Sequence, residues 1–123
     1  METQSSTEYT VTITAVIDRQ FILDVIDAAG YGIGYWADAA EVDEESDVYR
    51  VREVTTYESV GVPRQTTEHV ITFEALAQAL GKLAADGWQS IQQGLAERDA
   101  GHIDSQGGDA AVQMAAFGEL VYG

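Results

Sequence analysis

Cysteine is absent from the 123 residues, proline occurs once, and Lys82 is the only lysine. Without cysteine there is no disulfide scaffold, no thiolate zinc site and no thiol nucleophile. Six Lys and Arg stand against 21 Asp and Glu, for a formal charge of −15. Such a chain has no basic face with which to neutralise phosphates, so direct nucleic-acid binding is not expected. No apolar run approaches the ~20 residues of a membrane span. The opening METQSSTEYT carries neither a basic n-region nor an apolar h-region, so no secretory signal is expected. GxSxG and Walker A sequences are missing, and two histidines are too few for a His-ligated zinc enzyme. No catalytic residue, metal site or cofactor is therefore assigned.

What remains is a normal core-forming composition. With 46% apolar residues the chain predicts one compact domain over residues 9–123, preceded by a polar, disordered tail at 1–8. Five of the six basic residues are arginine, and alanine, glycine and acids are abundant. This bias resembles that of high-GC genomes, and its acid excess and lysine scarcity resemble those of halophilic proteins. In concentrated salt the Debye length falls to ~3 Å, so uncompensated like charges repel weakly.

Periodicity predicts the elements. Tyr9 to Ala15 alternates as a strand with β-branched residues on both faces. Phe21, Ile22, Val25, Ile26 and Ala29 form one helical face, with Asp18 as N-cap and Gly30 as a left-handed terminator. Val48 to Tyr57 is a β-branched and aromatic strand, and Gly61 and Pro63 mark a turn. Thr67 to Phe73 is either a second hairpin strand or a loop. Thr72 caps a helix with Phe73, Leu76, Leu80 and Leu83 on its inner face, ended by Gly87. A third helix runs from Trp88 to Asp99, with Gly101 as its C′ residue. Asp104 caps a fourth, whose Ala111, Met114, Ala115 and Gly118 make a small-residue face. The expected class is α+β: about four helices with a small, mainly antiparallel sheet. The alternative is a mostly α domain with one β-hairpin.

Three stretches invite a functional reading. Gly30 to Trp36 places Tyr31, Tyr35 and Trp36 among glycines, either as core packing or as a stacking surface. It follows a helix, so it is no dinucleotide fingerprint. Residues 38–47 hold Asp38, Glu41, Asp43, Glu44, Glu45 and Asp47 with no base. They form either a solvated loop or an acidic patch for a basic partner. Arg98 to Asp104 gathers Asp99, His102 and Asp104, with Asp109 nearby. Those groups either cap helices or supply polar contacts to a ligand; the EF-hand spacing is not met.

Two segments, IDAAGYGIGYWA (26–37) and RDAGHIDSQGGDAAVQMAAFGELVYG (98–123), resemble a group of small uncharacterised phage, prophage and plasmid proteins. His102 stands where that group commonly has an acid, and Gly107-Gly108 where it has larger residues. The resemblance implies a mobile-element origin and an intracellular, cytoplasmic location. It also implies that the C-terminal segment tucks against the body beside the Tyr-Trp segment. It carries no catalytic residues.

The favoured function is a non-enzymatic accessory protein that binds a host or viral protein. A small-ligand binder or enzyme is the alternative, and requires the Tyr-Trp segment and the Asp-His-Asp loop to share a pocket. A third reading is an oligomerising protein, a second copy packing on the small-residue face of the last helix. The charge is spread along the chain with one local peak at 38–47, which favours solvent adaptation over phosphate mimicry.

Overall fold

The structure, a computed structural model, describes residues 7–9 and 14–123. The fold is α+β, with four α-helices and a three-stranded antiparallel sheet among the described residues. The order is α1 (Arg19–Gly30), β1 (Ala37–Asp43), β2 (Val48–Thr56), β3 (Gln65–Thr72), α2 (Phe73–Ala85) and α3 (Gln89–Glu97). A single 3-10 turn (Ala100–His102) and α4 (Ser105–Phe117) complete it. The strand expected over Tyr9–Ala15 falls largely on residues 10–13, outside the described residues.

The sheet runs β1-β2-β3 with β2 central. Tyr49 and Val51 point into the core with Ile71 opposite Tyr49, whereas the alternate positions Arg50 and Arg52 face outward. The acidic run read as a loop is half strand. Residues 37–43 form β1, and the turn that follows closes a hairpin onto β2. Ala-Asp-Ala-Ala-Glu-Val-Asp has weak strand propensity, and long-range pairing overrides it. Glu41 lies opposite Arg50, and a bulge between Ala37 and Ala39 turns Asp38 toward arginine. Charged outward residues also suit β1 to an edge position.

The helices cover one face of the sheet. Asp18 caps α1, its Oδ1 accepting from the Phe21 N–H at 2.9 Å. Thr72 does the same for Ala75 at 3.0 Å in α2, and Asp104 for Gly107 at 2.8 Å in α4. Phe21, Ile22, Val25 and Ile26 of α1, Leu76, Leu80 and Leu83 of α2, and Ile91 of α3 share one core with the sheet. Two expected glycine terminators are replaced. Gly30 lies inside α1, which Tyr31 ends in a right-handed conformation. Arg98 (φ 53°), not Gly101, is the left-handed residue that ends α3. Gly87 and Gly118 do adopt positive φ behind α2 and α4.

Helix α4 is the central element. Residues Gly107 to Gln113 are all buried, so it has no broad solvent face along that stretch. A Cβ on Gly108 would stand 2.6 Å from the Ala29 nitrogen and 2.8 Å from its Cα. Glycine here lets α4 cross α1 backbone to backbone. The small-residue face is thus used within the chain: Ala111 is fully buried, and Gly118 is the left-handed cap. A second copy has no access to Ala111.

Candidate functional site

The Gly30–Trp36 segment meets α4 directly. After α1, the Gly32 and Ile33 N–H groups both donate to the Ala29 carbonyl, and Trp36 N–H donates to Ile33. This tight path buries Ile33 and brings Tyr35 and Trp36 against α4. Gly32 permits it, because a Cβ there would collide with the Ser105 carbonyl.

Two polar residues on α4 receive the segment. Asp109 (8% exposed) and Gln113 (2%) are four residues apart and share one helix face. The Asp109 carboxylate accepts from the Tyr35 hydroxyl at 2.7 Å, from Trp36 Nε1 at 2.8 Å and from Gln113 Nε2 at 2.9 Å. The Gln113 carbonyl oxygen accepts from the Val121 and Tyr122 N–H groups at 2.9 and 2.8 Å. Its amide nitrogen also reaches the Tyr35 hydroxyl and the Tyr122 carbonyl at 3.2 and 3.3 Å. One glutamine side chain therefore stands in for a strand partner to a segment without regular secondary structure. Among the described residues, no buried side-chain nitrogen or oxygen is left without a partner.

The network continues to the sheet. The Tyr122 ring stacks on Trp36, centroids 5.5 Å apart and planes 2° from parallel. Its hydroxyl donates to Glu53 Oε2, and His69 Nε2 lies 2.9 Å from Glu53 Oε1. His69 also meets the edge of Phe117 at 5.0 Å. Burial pushes the Glu53 carboxyl up, but hydrogen bonds from Tyr122 and His69 outweigh it and hold the group below its ordinary value. The Glu53 carboxylate, aided by burial, pushes the Tyr122 phenol up to about 12. Burial and Asp109 raise Tyr35. Away from this network, burial and Asp27 push Tyr49 up to about 12.

The residues singled out in the sequence divide among separate tasks. Trp36 is 1% exposed, so it is core and offers no face for stacking a ligand. Tyr35 is half-exposed, and Tyr31 stands in solvent at 91%. Asp104 caps α4, and Asp99 accepts from Gly101 N–H at 2.9 Å to cap the 3-10 turn. His102 sits 3.2 Å from Glu97 and 3.8 Å from Asp99. The Asp-His-Asp loop and the Tyr-Trp segment thus engage different partners: Asp99 and Asp104 cap helical turns and His102 meets Glu97, whereas Tyr35 and Trp36 meet Asp109. Among the described residues no group of three His, Asp or Glu side chains is placed to hold a metal ion. No described helix is long and apolar enough to cross a membrane.

The acidic run is met by arginine. Asp38 lies 2.6 Å from Arg52 and 3.0 Å from Arg64, and the bond from Arg52 holds its carboxyl below the usual carboxylate range. Asp47 is 2.9 Å from Arg19, which also reaches Glu44 at 3.6 Å. Asp43 accepts from the Ser46 and Glu45 N–H groups, which lower its pKa, and lies 3.9 Å from Arg50. The densest stretch of negative charge is therefore largely paired, which weakens it as a phosphate mimic; Glu41 and Glu45 remain exposed.

Asp109, Gln113, Tyr122 and Glu53 are the network residues that sequence reasoning passed over or noted only as neighbours. The available signal was the Asp109/Gln113 pair, two polar residues four apart in the stretch 107–113, which is otherwise made of Gly, Ala and Val. Comparison with known proteins gives no match to a family model, to a curated protein or to a solved structure.

Proposed function

We propose that this chain is a non-enzymatic accessory protein of a virus or mobile element, acting by binding another protein. One observation carries the reading. The carboxylate, amide and phenol groups around Asp109 satisfy one another, while Tyr35, which meets Asp109, and Tyr57, which meets the Tyr35 carbonyl, keep much of their rings in solvent. Tyr35 and Tyr57 are 50% and 61% exposed, and Val60 and Val62 are exposed on the β2–β3 loop that Tyr57 opens. Exposed aromatic and apolar side chains are typical of interaction surfaces. The resemblance to phage and plasmid proteins supports the mobile-element origin and the cytoplasmic location of the host cell.

The test uses the whole chain as bait in host lysate, at the salt of the host cytoplasm, beside a Tyr57→Ser/Val60→Ser bait. Retention of a protein by the first and not the second is the expected result. An identical set of retained proteins on both baits overturns the reading.

A further inference from the structure

We propose that the cleft between the end of α1 and the edge strand β1 binds a small organic ammonium ion, the Asp27 carboxylate and the Tyr49 hydroxyl accepting its N–H groups and the Tyr31 ring lying beside its charge. Tyr35 and Tyr57 do not line this cleft, so the site stands apart from the protein-binding reading.

The cleft measures about 610 Å³ and is open to solvent. That size falls within the ~300–1,000 Å³ of small-molecule sites. Ile26, Asp27, Gly30 and Tyr31 line it from the end of α1, and Ala40 and Val42 line it from β1. Val42 lies opposite Tyr49, and Ala40 opposite the buried Val51, so both face the inner side of the sheet. Ala40 is exposed, and its methyl group leaves space that a larger side chain would fill.

Tyr49 points to a ligand. It is 3% exposed, yet its hydroxyl has no hydrogen-bond partner among the described residues. No described side-chain oxygen that is sealed from solvent lacks a partner, so this hydroxyl opens onto the cleft that Tyr49 lines. Burial and the Asp27 charge push the phenol up to about 12, so it keeps its proton at neutral pH.

Charge and donors select the ligand. Asp27 is exposed and makes no ion pair among the described residues. Glu41 adds a second acid to the lining, and no Lys, Arg or His joins it, so an anion is repelled. An ammonium group supplies N–H donors to a carboxylate and a hydroxyl oxygen, and a tyrosine face attracts its charge. Tyr31, 91% exposed, has that face free. Ile26 and Val42 receive an apolar body, and no described group of three His, Asp or Glu side chains is placed for a metal ion, so the cation is organic.

The probe is n-hexylamine hydrochloride, added at neutral pH in 0.15 M NaCl to the isotope-labelled whole chain while amide chemical shifts are followed. n-Hexanol and sodium hexanoate are its neutral and anionic counterparts. The expected result is saturable shifts at Gly30, Ala40 and Val42 with the amine, and binding of both counterparts at least tenfold weaker. Asp27→Asn weakens the amine tenfold or more. Tyr49→Phe, which keeps the ring and breaks no hydrogen bond, weakens it at least threefold with an unchanged thermal midpoint. Ala40→Leu, which fills the cleft from its exposed edge, abolishes saturation. Glu74→Gln, the same charge change on α2, alters binding less than twofold. Shifts that fail to saturate at tens of millimolar amine overturn the proposal. So do equal losses in Asp27→Asn and Glu74→Gln, or a Tyr49→Phe protein that binds within twofold of the unaltered chain.

Discussion

Asp109→Ala removes the acceptor shared by Tyr35, Trp36 and Gln113. The Tyr35 hydroxyl is near solvent and finds water. Trp36 Nε1 is buried and has no other acceptor among the described residues, and an unsatisfied buried donor costs about 1–3 kcal/mol. Gln113 keeps its bonds to Tyr35 and Tyr122 but loses one made to a charge, a further loss of about 1.5–3 kcal/mol. The expected destabilisation is thus about 3–5 kcal/mol, a large part of the ~5–15 kcal/mol that holds a domain together. Asp109→Asn is milder. Both buried donors use Oδ1, which the amide retains, and only the Oδ2 contact to Tyr35 must reverse its polarity. That change is expected to cost about 1–2 kcal/mol. Urea unfolding followed by circular dichroism measures both variants on one scale, with the slope against denaturant unchanged. A loss below about 1 kcal/mol for Ala, or an Asn variant no better than Ala, refutes the shared-acceptor reasoning.

Gly108→Val drives a side chain into the Ala29 backbone and is expected to cost about 3 kcal/mol or more, whereas Gly34→Ala meets open space and changes stability by no more than about 0.5 kcal/mol in the same assay. Phenol absorbance at 295 nm is expected to show Tyr122 ionising near pH 12; Glu53→Gln brings it back toward 10, and an unmoved titration contradicts the pairing. Because the Tyr122 value is raised, its stabilisation is complete below pH ~10 and is lost as pH rises through about 12. The depressed Glu53 carboxyl has the opposite sign: its stabilisation is present above pH ~4.3 and is lost as pH falls through its folded value, so Glu53→Gln flattens the acid limb of the stability curve. Raising NaCl from 0.05 to 1 M shortens the Debye length to ~3 Å, and with −15 to screen the thermal midpoint is expected to rise; a flat or falling midpoint contradicts self-repulsion.

Local signals made most of the fold legible. Asp18, Thr72 and Asp104 cap helices because an oxygen three residues ahead of a free N–H needs only local geometry. The apolar faces of α1 and α2 follow from period 3.6 alone. β1 is hidden because its strand character is supplied from outside: Arg50 and Arg52 of β2 give Asp43 and Asp38 partners only once the two strands pair. The network was hidden for the same reason. Asp109 meets Tyr35 and Trp36 across more than seventy residues, and Glu53 meets Tyr122 across 69. The expected tuck of the C-terminal segment beside the Tyr-Trp segment is present: Tyr122 stacks on Trp36, whose indole N–H donates to Asp109. Reading Trp36 as a surface for stacking failed because Tyr122 and Phe117 already pack on it.

Amide hydrogen exchange at Val121 and Tyr122 tests most directly whether Gln113 and Asp109 lock the C-terminal segment to the Tyr-Trp segment. These two N–H groups lie outside any helix or strand, and their partner is the Gln113 side chain. The lock predicts exchange far slower than for an open chain, with acceleration at both amides, and at the Trp36 indole N–H, in Asp109→Ala. Exchange at the open-chain rate in the unaltered protein contradicts it.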